Sequence, residues 1–369
     1  MRPLPLHDQW ARAGAVIGSR FGAEIVAQGP DPKKEYHFIR DTVGFTDFSF
    51  LRKFRIPEEK GVDFLDSLVA GNVAKIRFGR ALHTFLADEN GCLLADCYVA
   101  NNDEELILLC ESITDDTTLT DLLASYGAKE AGCEDVTDQL VALGIDGVKA
   151  WAVARDLFGA DILGLPYLSI ERYRFENEAV LFLRVGKTSE FGYLIVAPRA
   201  CAEGLFAKIS ELTVKHGGGL CGVEIHSDLR LEGRFFNIFA EGKAIGDPLS
   251  LGLQWMIDWG KEKFIGSTAL AARRAAGLTH KIIGVQSETN GKDLLPGTPI
   301  FDDIGKVSEI IASCYSPALN AFIGLALFPV AIAYSGLTFS RGSVGGQPLK
   351  TISMPPIMPK SLQVKLDEM

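Results

Sequence analysis

From Ile310 to Ser340 the chain carries no charged side chain, and few arrangements accommodate such a run. A helix that spans a bilayer needs about 20 continuous apolar residues, which this stretch nearly supplies. Yet Ser316-Pro317, Asn320, Gly324, Pro329 and Ser335-Gly336 interrupt it at intervals that suit short strands and turns. It is read as buried β-structure, with strands at Ala321–Leu327 and Val330–Tyr334, and no membrane partner is expected. Ile282–Gln286, Pro299–Phe301, Glu309–Ser313 and Gln347–Ile352 share this short, Gly- and Pro-bounded character. Together they predict a small C-terminal β-barrel or sandwich over 278–369.

Upstream the periodicity changes. Val62, Leu65, Leu68 and Val69 recur at helical spacing. So do Leu119, Leu122, Leu123 and Tyr126, and Leu205, Ile209 and Leu212 ahead of Gly217-Gly218-Gly219. Between them lie β-type runs at Ala81–Leu86, Cys92–Val99, Leu106–Cys110, Ala179–Val185 and Tyr193–Val196. Such interleaving predicts α+β or α/β layers. A last helix, Ala269–Ala276, ends at Gly277 and sets a boundary between 1–277 and 278–369. Within the first part, about 50–142 reads as one of two intertwined subdomains.

Charge and cysteine usage exclude several functions. The chain has 37 Lys+Arg against 47 Asp+Glu, a net charge of −10. It therefore lacks the surplus that neutralises a nucleic-acid backbone or an anionic membrane. Its seven cysteines include no Cys-x-x-Cys pair and sit mostly in apolar runs, as reduced core thiols of a cytoplasmic protein do. The six histidines show no metal-ligand spacing, so no metal is expected.

The strongest local signal is a hairpin. Asn90-Gly91 between two apolar runs marks a tight turn, since both residues tolerate positive φ. In the second strand a period of two puts Leu94, Asp96 and Tyr98 on one face. Asp96 is thus a lone carboxylate in an otherwise apolar strand. Buried carboxylates need a partner, so either the strand is an exposed edge or the acid has a task. Other arrangements fall short. Gly186-Lys187-Thr188 lacks the earlier glycine of a phosphate loop, because Leu181 stands there. His226-Ser227-Asp228 offers the residue types of a triad, but adjacent residues on one segment do not converge as a triad does.

A series of short segments then follows a fixed order. They are Arg40–Ser49 (RDTVGFTDFS), Ala70–Val73 (AGNV), Gly79–Thr84 (GRALHT) and the hairpin Asn90–Val99. Thr188–Tyr193 (TSEFGY), Leu229–Gly233 (LRLEG), Asp247–Leu249 with Phe264–Leu270, and Ser316–Leu319 (SPAL) complete the series. In that order they resemble the glycine cleavage T-protein (aminomethyltransferase) family of tetrahydrofolate-dependent one-carbon transferases, over nearly the whole chain. No single piece is specific; their collinearity is.

The resemblance implies an α+β fold, an aminomethyltransferase-like folate-binding cloverleaf around a central channel, closed by a C-terminal β-barrel domain. It implies tetrahydrofolate as cofactor, and Asp96, on the second Asp of the family's hairpin motif, as the catalytic acid or base. Glu190, Tyr98, Tyr193 and Arg230 become cofactor-binding candidates, and Phe50, His83, Glu111 and His226 candidates for the substrate channel. Burial beside Leu94, Tyr98 and a folate ring is expected to raise the Asp96 pKa towards a useful range.

Three departures shape the functional expectation. Leu194 stands where the family has a second acid, expected at the pterin's amino edge. Ile225-His226-Ser227 replaces Ala-Arg-Asp, and Glu111 replaces an Asn. With the acidic net charge, these point away from a lipoylated carrier protein. They point towards a demethylase-like paralogue that moves a one-carbon group from a small O-, S- or N-methyl compound to tetrahydrofolate. The alternative is a non-catalytic folate-binding or folate-independent member with an assembly or regulatory role. Lys261–Ser267 lacks the cysteine found there in iron–sulfur-assembly relatives.

Overall fold

Residues 1–102, 104–287 and 294–365 are described in a computed structural model of the chain. The apolar runs of the first part assemble as two sheets. One has five antiparallel strands in the order Arg80–Ala87, Leu93–Asn101, Glu105–Ser112, Arg52–Pro57 and Glu134–Asp135. The other has six, in the order Ile170–Phe175, Glu178–Leu183, Gly192–Pro198, Leu140–Asp146, Gly44–Asp47 and Gly219–Cys221, the last pair parallel.

Each sheet is apolar on both faces because each is covered twice. Tyr98, Ile107 and Leu109 of the first sheet share a core with Ala142, Leu194 and Val196 of the second. Helices Glu58–Leu68 and Asp116–Ser125 cover the far face of the first sheet. Ala150–Phe158 and Ala202–Lys215 cover that of the second. Local chemistry sets the helix ends. The Asp115 carboxylate accepts from the Thr118 amide and starts one helix. Ala202–Lys215 stops just before Gly217, at a φ of +81°.

The C-terminal strands close into a six-stranded barrel. Its order is His280–Ser287, Ala321–Pro329, Lys306–Ser316, Pro299–Phe301, Thr338–Arg341 and Gln347–Ile352. Val285, Ile300, Ile310, Ala326, Phe328 and Leu349 fill it, so the uncharged run supplies core strands. No helix among the described residues is long and apolar enough to cross a membrane. The barrel docks through a further core in which Phe85, Leu231 and Phe236 meet Ala312, Cys314 and Leu325.

Two local expectations are corrected. Val330–Tyr334 is not a strand: Pro329 offers no ladder donor, and Val330–Ile332 forms one 3₁₀ turn. Val330 and Tyr334 are 39% and 61% exposed. In the hairpin, Gly91 takes positive φ (+73°) but Asn90 does not. The Gly91 amide donates to the Asp88 carbonyl, so one glycine is enough to reverse the chain.

Candidate active site

Strand Leu93–Asn101 is paired on both sides, so Asp96, 1% exposed, is not on an edge. Register places Glu111 directly opposite it on the next strand. Like charges so placed repel, and the fold brings counter-charges to them. Lys187, in the loop that leads into Gly192–Pro198, puts its ammonium 2.5 Å from Asp96 Oδ2 and 3.3 Å from Glu111 Oε2. Arg230, on helix Val223–Gly233, holds Glu111 bidentately at 2.7 and 2.6 Å. His83 Nε2 lies 2.7 Å from the other Asp96 oxygen. A continuous buried chain results, His83–Asp96–Lys187–Glu111–Arg230.

Most of this chain borders a cavity between the two sheets, beneath helix Val223–Gly233. Phe48, Leu51, Tyr98, Leu109, Val185 and Leu194 give it apolar walls. Asp96, Glu111, Asp146, Lys187, His226 and Arg230 supply its polar lining, a combination that suits a ring with apolar faces and a hydrogen-bonding edge.

The electrostatics overturn one expectation. Burial does push the Asp96 carboxyl up, but Lys187 and His83 outweigh it and hold the group below the usual carboxylate range. Glu111 behaves likewise: Arg230 and Lys187 overcome its burial and keep it ionised. Burial and the Arg230 charge push His226 down to about 3, so its imidazole is neutral, with Nε2 2.9 Å from Thr46 Oγ1. Asp146 is the exception among the acids. Burial raises it to about 7, although the Arg230 charge opposes the shift.

The structure brings Asp96, Tyr98, Glu111, His226 and Arg230 together around this cavity. Tyr98 stacks on His83 with centroids 4.6 Å apart, and the Lys187 ammonium lies 5.1 Å from its ring centre. Tyr193 borders the cavity, but its ring stacks on Phe182 in the helical layer. His83 touches Asp96 from the side of a second, broader cleft. Phe50 faces a neighbouring small pocket among Arg2, Arg20 and Arg52, and Phe48 stands in the cavity instead. Glu190 lies elsewhere, accepting from Arg40 and from the Lys360 and Ser361 amides.

Two site residues escape a reading of the sequence. Lys187 sits in the Gly-Lys-Thr triplet, whose sequence signals nothing beyond an incomplete phosphate loop. Asp146 ends a strand whose seven residues are all buried, the same lone-acid signal that singles out Asp96. Among the described residues no group of three or more His, Cys, Asp or Glu side chains is arranged to hold a metal ion.

Comparison with known proteins bears on the family and the fold. Residues 6–261 match the family model described as the GCVT N-terminal domain. The aminomethyltransferase of Bacillus cereus (strain AH820) is 27% identical over 345 residues, which is 90% of this chain and 91% of that protein. That of Caldanaerobacter subterraneus subsp. tengcongensis is 26% identical over 345 residues, 91% of this chain and 90% of that one. The crystal structure of glycine cleavage system aminomethyltransferase T from Bartonella henselae has the same fold. Its TM-score is 0.82 at 21% identity, covering 97% of this chain and 98% of that one. A family match across most of the length, on a fold shared almost end to end, places this chain in the glycine cleavage T-protein (aminomethyltransferase) family.

Proposed function

We propose that the chain transfers a one-carbon group from a small O-, S- or N-methyl donor to tetrahydrofolate, as a demethylase-like relative of the aminomethyltransferases. The observation that carries this reading is the Asp96 carboxylate, held ionised by Lys187 and His83 in the lining of a largely apolar slot. The residues present fit a reduced pterin. Tyr98, Leu109, Val185 and Leu194 offer apolar surface, and Asp96, Glu111 and Asp146 offer acceptors for an N–H edge. When bound, such a cofactor supplies a nucleophilic ring nitrogen.

The chain's own residues do the rest. Asp96, as a carboxylate, takes up a proton and stabilises positive charge that develops between donor and acceptor. Lys187 and His83 each fix one of its oxygens, so it is aimed before any ligand arrives. The slot excludes water and holds the reactants together. His83 and Trp255 also line the broader cleft against the barrel, which gives a donor an approach to Asp96 from outside the slot. The net charge of −10 supports a small-molecule donor over an acidic carrier protein.

Asp96→Asn tests this reading. The variant is expected to keep its circular dichroism spectrum and to lose at least about 100-fold in methyl transfer to tetrahydrofolate, assayed with a panel of methyl ethers, thioethers and amines. Turnover near the wild-type level would sink the assignment. Calorimetric titration with 5-formyltetrahydrofolate tests the cofactor independently of the donor.

A further inference from the structure

Asp146 is 5% exposed and lines the cavity, yet the ion-pair chain passes it by. The two cations of the cavity, Lys187 and Arg230, are held by Asp96 and Glu111, and Asp146 has no ion pair among the described residues. The fold clears space around it. A Cβ on Gly192 would come 2.8 Å from Asp146 Oδ1, and one on Gly186 3.3 Å. Strand pairing sets Gly192 opposite Asp146 and Leu194 opposite Gly144. Asp146 and Leu194 are therefore diagonal neighbours on one face of the sheet. The Thr188 hydroxyl and the Arg230 charge ease its burial, but a carboxylate in an apolar cavity with no ion pair is costly to bury, and a donor brought by a ligand completes its partners. Apolar walls around a carboxylate with two acceptor oxygens suit a heterocycle with apolar faces and two adjacent N–H groups.

We propose that Asp146 is the residue that recognises the ligand's heterocyclic edge, accepting the paired N–H groups of a 2-aminopyrimidinone-type ring from the strand beside Leu194. For tetrahydrofolate this rests on the cofactor reading above. Arg230, His226, Cys221 and Tyr167 face Asp146, with Lys187, Glu111 and Asp96 across the cavity. Asp96 and Glu111 are held ionised, while His226, Cys221 and Tyr167 are held neutral. Asp146 is thus the carboxyl that changes charge near neutrality. N–H donors favour its ionised form, so binding expels a proton below about pH 7 and none well above it.

The test is calorimetric titration of wild type and Asp146→Asn with two probes, 5-formyltetrahydrofolate and pterin alone, in buffers of different ionisation enthalpy. Wild type is expected to release most of one proton at about pH 6 and almost none at about pH 8.5. Asp146→Asn is expected to bind both probes at least about tenfold more weakly and to lose the release. Wild-type binding without proton release at about pH 6 would overturn the proposal, and that measurement needs no variant. Equal affinity in Asp146→Asn would overturn it and leave the folate reading standing. Pterin bound through Asp146 without 5-formyltetrahydrofolate would support it and remove the folate reading. Neither probe bound by wild type would overturn both.

Discussion

Asp96 and Asp146 are both carboxyls buried in the same cavity, yet they titrate in opposite directions, and the difference lies in two neighbours of Asp96, Lys187 and His83. Lys187 reaches Asp96 but not Asp146, so Asp96 is held down while burial raises Asp146 to about 7. Removing that ammonium makes the argument testable. In Lys187→Met, Asp96 keeps only His83, and its pKa rises. The ionised form then appears at higher pH, and the acid limb of the kcat/KM profile is expected to move up by about one unit or more. An unmoved acid limb would show that Lys187 does not govern Asp96. Asp146 carries the reverse sign in stability. An acid whose folded pKa lies above its unfolded value favours the fold while protonated. That contribution fades as pH rises from about 4 to about 7. Asp146→Asn, neutral throughout, is expected to be more stable than wild type at pH 8, by up to about 4 kcal/mol. The gain should vanish near pH 4 in thermal melts.

Elements explain which of these residues could be foreseen. The Asp96 strand was legible because a period of two leaves a polar residue conspicuous among apolar ones, and the barrel strands were legible from their punctuation. Lys187 lies in a loop with no period, and its meaning depends on a second sheet that places its ammonium against Asp96. Glu111 and Arg230 were legible singly as candidates, but not as a pair, because their contact joins residues 119 positions apart. Val330–Tyr334 misled for the converse reason, because apolar composition alone does not tell a strand from a turn that follows a proline. Close approach of the strand Gly192–Pro198 to the loop before it is a further element-level requirement. A methyl group on Gly192 would meet the Gly186 Cα at 2.6 Å and the Val185 carbonyl oxygen at 2.8 Å. Gly192→Ala is therefore expected to destabilise the fold by about 1–3 kcal/mol in urea denaturation. It should also weaken 5-formyltetrahydrofolate, because the same methyl crowds Asp146. A variant that binds normally would dissociate this glycine from the site.

At the scale of the whole molecule, the barrel and the two sheets are joined by a buried polar knot rather than by apolar contact alone. Helix Val223–Gly233 serves both ends, with Arg230 in the cavity and Glu232 in the knot. Glu232 accepts from Arg40 at 2.9 Å, from Tyr36 at 2.9 Å and from Ser316 on the barrel at 2.5 Å. Arg40 also meets Glu190 at 3.3 Å, and Glu190 accepts from the Ser361 amide at 2.8 Å, which pins the C-terminal segment. This explains why Glu190, expected beside the cofactor, stands outside the cavity: its carboxylate is consumed in holding the chain's last described residues. Arg40→Met leaves Glu190 and Glu232 without a cation in a buried site, and a loss of about 3–5 kcal/mol is expected. Glu190→Gln keeps an acceptor for only one of the two amides, which bond different oxygens of the carboxylate, and weakens the pair with Arg40, so a loss of about 1–3 kcal/mol is expected. Its affinity for 5-formyltetrahydrofolate should match wild type. The pair is measured by urea denaturation followed by calorimetry on the folded variants. Weakened binding in Glu190→Gln at undiminished stability would return Glu190 to the cofactor site and break the division between a cavity that binds and a knot that fastens.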